Sequence, residues 1–108
     1  MRTFQPLENV EYHHDANPYA YPLQVDEHGR ILRFALKPGQ VVREHNAPHS
    51  PVYLFVLEGT GLFAGGDGVE REFGPFTLLT FEPGEQHEIR AQKEELVFLA
   101  FLHGSPIP

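Results

Sequence analysis

The chain has 108 residues, a formal net charge of −7, and 41% hydrophobic and 12% aromatic residues. That suffices for one domain with a modest core and is too apolar for a disordered chain. The acidity disfavours sequence-independent binding to nucleic acid or to an anionic membrane, and the absence of cysteine excludes disulfides, thiolate metal ligands and cysteine nucleophiles.

In chain order, residues 1–29 read as an N-terminal arm. "MRTFQPLENVEYHHD" has no apolar h-region, so no secretory signal is expected and the cytoplasm is the expected compartment. "HHD" at 13–15 has no ligand partner at a useful spacing and reads as an exposed turn. "ANPYAYP" (16–22) and "DEHGR" (26–30) carry turn residues.

From about residue 30 to 102 the pattern changes to a core of short strands. "RILRFAL", "QVVREH", "VYLFVL", "GLFA", "EREF", "FTLLTF", "HEIRA" and "ELVFLAF" are rich in β-branched, leucine and aromatic residues. Turn signals separate them, among them "KPGQ", "NAPHSP", "EGTG", "AGGDGVE", "FGP" and "EPGEQ". This rhythm predicts a single all-β domain, a sandwich or barrel. No window sustains a helical apolar period without a Pro or Gly inside it. "GLFAGGDGVEREF" predicts a hairpin. "VYLFVL" and "LVFLAFL" are apolar at every position, so both of their faces should be covered, one by the opposing sheet and one by a partner subunit. A homodimer is therefore expected. The longest apolar run, "LVFLAFL", is too short to span a bilayer.

Chemistry is harder to read. Ser50 and Ser105 lie beside prolines in turns, without the context of an activated nucleophile. "AGGDG" sits in a hairpin and not before a helix, so it is no phosphate loop.

Gly39, five residues, His45, then "VLEG" at 56–59, a Gly-rich hairpin and "PGEQH" ending at His87 together resemble the cupin family. The resemblance covers Arg30 to Leu102 and implies a double-stranded β-helix, or jelly-roll, barrel. In metal-binding cupins two histidines and a glutamate of a first motif, with one histidine of a second, point into the barrel and hold one divalent ion. Gly39, His45, Gly59, Gly84 and His87 match those motifs. Ala47 stands where the second histidine belongs and Val52 where the glutamate belongs, so the resemblance supplies two of four ligands. "EHNAPH…VLEGTG" and "PGEQHEIRA" are also similar to a narrower group of small bacterial cupins in which those two ligands are commonly absent.

The resemblance implies a pocket that takes a small-molecule ligand, with Ala47, Val52, Leu54 and Phe81 expected along it. Alternation puts Arg43 on the face of His45, where it would meet an anionic ligand or form a salt bridge on the rim. Two readings of the metal stay open. His49 could join His45 and His87 around one divalent transition metal (Zn, Fe, Mn or Ni). In a straight strand residues 45 and 49 would lie about 13 Å apart at ~3.3 Å per residue, but Pro48 and Pro51 favour a bend. Alternatively His49 is a surface residue and no metal binds. Three functions follow: a small-molecule-binding cupin, with or without metal; a metal-dependent dioxygenase or isomerase; and a metal-free sensor or epimerase-like enzyme. The last would need His45 or His87 as base and a tyrosine acid, for which Tyr53 is near in sequence.

Overall fold

The computed structural model describes residues 1–13, 17–43 and 49–104. Nine strands lie among them: β1 (Tyr19–Asp26), β2 (Gly29–Leu36), β3 (Val41–Val42), β4 (Val52–Glu58), β5 (Gly61–Ala64), β6 (Arg71–Phe73), β7 (Leu78–Phe81), β8 (Glu88–Ala91) and β9 (Leu96–His103). They form a five-stranded sheet in the order β1-β2-β9-β4-β7 and a four-stranded sheet in the order β3-β8-β5-β6. Every pairing is antiparallel. No helix among the described residues is long and apolar enough to cross a membrane.

The two sheets close on one core because the alternate positions that face it on β2, β4, β5, β8 and β9 are apolar over most of their length. On β4, Val52, Leu54 and Val56 are buried, while Tyr53, Phe55 and Leu57 are only partly covered. On β2, Leu32 and Phe34 pack against the core and Leu36 lies within it. The Phe34 ring stacks on Phe98 of β9 at 5.1 Å, and Phe63 of β5 meets the same ring at 6.2 Å from the opposite sheet. The doubly apolar strands are buried on their inner face; on the outer face Val97 is buried as well, while Tyr53, Phe55, Leu99 and Phe101 are half-buried.

The N-terminal segment departs from its expected reading. Residues 19–26 are a strand at the edge of the larger sheet, where the sequence suggested a turn. An edge strand tolerates Pro22 because one side of it has no ladder to lose, and the pairing shifts by a bulge between Pro22 and Gln24. Upstream, the arm crosses the outer face of the sheet. Arg33 fastens it there, donating from Nη1 to the carbonyls of Pro6 and Glu8 at 3.2 Å and from Nη2 to that of Asn9 at 3.5 Å. Its guanidinium also lies over the Tyr21 ring at 5.0 Å.

Strand connections alternate between the two ends of the barrel. One end gathers the β1–β2 turn, the segment before β4, the β5–β6 hairpin, the β7–β8 turn and the close of β9. Here Ser50 Oγ accepts the His103 N–H at 2.8 Å, and the Gly104 N–H donates to the His28 carbonyl at 2.9 Å. At the other end, Gly59 has φ +81° and a side chain there would run into the Glu95 carbonyl oxygen. Glycine meets both demands.

Candidate functional site

The end that carries His87 is built in rows across the larger sheet. Arg30 pairs with Leu102, Leu102 with Val52, and Val52 with Phe81. Alternation turns all four toward the interior. One row deeper come Leu32, Ala100, Leu54 and Leu79. Val52 and Phe81 thus sit together on the rim of the core, each 5% exposed, whereas Leu54 is sealed beneath them at 2%.

His87 completes this rim from the opposite sheet. It precedes β8 and shares the inward parity of Ile89 and Ala91, both buried. Its own exposure is 7%, and its ring lies 5.0 Å from that of Phe81, tilted by 33°. His87 Nδ1 is 3.3 Å from the Glu85 carbonyl oxygen. In a neutral ring that contact makes Nδ1 the donor and leaves Nε2 as the basic nitrogen.

The turn before His87 is held rigidly. Gly84 takes φ +80°, which a residue with a Cβ adopts only under strain. The Glu85 carboxylate spans two loops: Oε1 accepts the Glu82 N–H at 2.9 Å and Oε2 the Gly66 N–H at 2.8 Å. These two donors, the Gly66 amide first, hold the Glu85 carboxyl below the ordinary glutamate range. Gly65 and Gly66 make room for it, since a Cβ on Gly65 would lie 2.7 Å from Glu85 Oε2. The sequence reading missed both Glu85 and the inward Arg30. Arg30 was recoverable from its even spacing to Leu32, Phe34 and Leu36; the partners of Glu85 are far apart in the chain and left no local signal.

The other expected site residues are distributed as follows. His45 and Ala47 lie outside the described residues, as does Ser105. His49 is exposed in a turn. Arg43 is exposed and lines a separate cavity of about 850 Å³ with Phe34, Gln40 and Val42, on the side where β2 and β3 face each other. That cavity touches none of Val52, Leu54, Phe81 or His87. Glu82 and His103 are exposed. Tyr53 lies on the outer face of β4, half-buried with its ring edge-on to His103 at 5.3 Å, so it cannot serve as an acid inside the barrel.

The fit of a metal follows from these donors. Transition metals bound through imidazole want three or more protein ligands. The described part of the rim offers one imidazole, His87, and an isopropyl group, Val52, where the family's carboxylate would project. Among the described residues no three His, Asp or Glu side chains converge on a point that could hold an ion. The described residues therefore do not fit the group.

The sequence model of the cupin domain matches residues 32–102. No protein of curated function matches the sequence closely enough to transfer an activity. Among solved structures, a double-stranded β-helix protein of Klebsiella pneumoniae superposes with a TM-score of 0.89 at 18% identity, covering 100% of this chain and 94% of its own. A protein of Thermus thermophilus gives 0.89 at 20% identity, over 98% and 100% of the two chains. An RmlC-like cupin of Desulfovibrio desulfuricans gives 0.85 at 23% identity, over 95% and 96%. At these identities the likeness is one of fold.

Proposed function

Because the chain belongs to the cupin family over residues 32–102, we propose that it binds a small molecule at the His87 end of its barrel, without a resident metal. The observation that carries this reading is the buried His87 imidazole, 7% exposed and set against the Phe81 ring, beside the apolar Val52 and Leu102 of the same row. An apolar recess with a few fixed polar groups is the usual composition of a small-molecule site. An isopropyl group at position 52, in place of a carboxylate, would leave a site at this end wider and drier, which favours a ligand with an apolar body. Thermal-shift screening of the full chain against small organic molecules, with and without EDTA, tests it. Stabilisation by a ligand that survives EDTA and disappears in His87→Gln supports the reading. Stabilisation abolished by EDTA, or none across the panel, overturns it.

We propose also that a second copy of the chain covers the outer face of the larger sheet. Beyond the arm, Ile31, Phe101 and Tyr53 form one uncharged row, and Leu99, Phe55 and Leu78 the next. Leu78 and Phe76 beside it are 62% and 78% exposed. A surface apolar on both sides of a two-fold axis matches itself.

A further inference from the structure

We propose that Arg30 is the anion-binding residue of this same recess and that the small molecule bound there carries a carboxylate. The inference rests on the binding site placed at the His87 end, and it names the class of ligand.

The position of Arg30 follows from register. β2 pairs with β9 without interruption from Gly29 to Leu36, so the inward parity of Leu32, Phe34 and Leu36 extends to Arg30. Its cross-strand neighbour Leu102 packs against the core, and the same row runs on through Val52 to Phe81, which touches His87. A cation thus stands at one end of an apolar row and an imidazole at the other.

The chemistry of Arg30 is unusual within this molecule. Its Nε is sealed from solvent with no hydrogen-bond partner, and no described residue accepts from its Nη nitrogens. The carboxylates of the adjoining turn are otherwise engaged. Asp26 accepts the His28 and Gly29 amides through Oδ1 and the Gln24 amide through Oδ2, and Glu27 lies 3.5 Å from His28 Nε2. The other inner and outer strand arginines are satisfied: Arg33 by three carbonyls, Arg71 by Asp67, and Arg90 by Glu70 and Glu88.

An inward, half-buried guanidinium with no counter-charge among the described residues weakens the fold. An unbranched apolar side chain of the same length would pack against Leu102 without that cost. What the guanidinium offers instead is a planar pair of Nη donors matched to a carboxylate, which it can grip end-on. Leu102, Val52 and Phe81 would then flank the apolar body of the ligand, and His87 would supply a second polar contact.

The test uses the full-length chain, labelled with ¹³C and ¹⁵N, and two probes of one shape: benzoate and benzamide. Benzoate is expected to move the Arg30 side-chain resonances and the methyl resonances of Val52 and Leu102, and to bind at least tenfold more tightly than benzamide. Arg30→Met is expected to erase that preference while raising the thermal midpoint by about 2–5 °C, because it removes the unpaired buried donor. Arg30→Lys, which keeps the charge, controls for folding and is expected to retain part of the preference. Equal binding of the two probes overturns the anion assignment and leaves the recess standing. Binding of inorganic phosphate without benzoate overturns the carboxylate. No response to either aromatic probe overturns the assignment together with the recess.

Discussion

Glu85 joins Gly66 to the turn that carries His87: one oxygen of its carboxylate takes the Gly66 amide at 2.8 Å, the other the Glu82 amide at 2.9 Å. Two loops that are distant in sequence therefore move together around the recess. Glu85→Ala should cost about 1 kcal/mol, the scale of charge-assisted hydrogen bonds discounted for their exposure. Amide hydrogen exchange should quicken at Gly66 and Glu82 and stay unchanged in β9. Unaltered exchange at both amides would remove Glu85 from this role.

The same carboxylate sets a pH response, shared with two others. The carboxyl of Asp26 is lowered mainly by the His28 amide and that of Asp67 mainly by the Val69 amide, as that of Glu85 is by Gly66. A carboxyl whose folded pKa is depressed stabilises the fold above its unfolded value and loses that contribution as pH falls through the folded one. The turns at this end should hold at neutral pH and loosen below about pH 4, where ordinary Asp and Glu begin to protonate. Amide protection at His28, Gly66 and Val69, followed from pH 6 to pH 3, should fall before that of the β2–β9 ladder.

Val52 offers a direct measure of what the family's glutamate would do here. Val52→Glu places a carboxylate beside Phe81 and Leu102 and should destabilise the metal-free protein by about 2–4 kcal/mol. Purified without a histidine tag, the wild-type chain should carry less than about a tenth of an equivalent of Zn, Fe, Mn or Ni, since its described rim lacks the donors. Added Mn²⁺ or Zn²⁺ should raise the melting temperature of Val52→Glu and leave that of the wild type unmoved. A full equivalent of metal in the wild type would show that residues 44–48 complete a site that the described rim does not.

Sedimentation tests the outer face. The wild type should sediment as a dimer at micromolar concentration, and Phe55→Glu should sediment as a folded monomer, because a charge at the centre of an apolar contact must be desolvated to associate. Thr80→Glu, at the margin of the same sheet, should leave the dimer intact. A monomeric wild type would refute the proposed assembly.

What the sequence made legible, and what it hid, divides by the range of the interactions involved. The strands from β2 to β9 were readable because alternation and turn residues are local properties: Gly59, Gly84 and the Glu27–His28 turn mark their own positions. β1 was obscured by Pro22, whose meaning depends on whether the strand lies at an edge, and that is a property of the whole sheet. Val52 and Phe81, both expected near a pocket, pair with each other across β4 and β7. Arg43 could not be placed by alternation from His45, since β3 is a strand only over Val41–Val42. Glu85 and Arg30 draw their character from partners present or missing across the barrel, which no single stretch of sequence contains.

β4 is apolar at every position from Val52 to Leu57, yet its two faces have different neighbours. Even-numbered residues touch the interior beneath the recess, and odd-numbered residues touch whatever lies outside the sheet. One seven-residue strand is therefore two surfaces printed back to back on a shared backbone. Substitutions at 52 or 54 can reshape the inside, and substitutions at 53 or 55 the outside, each with little effect on the other. A shift of one residue in the register of β4 would exchange the two surfaces outright. The segment that leads into β4, fixed to β9 by Ser50 and His103, thereby guards both properties at once.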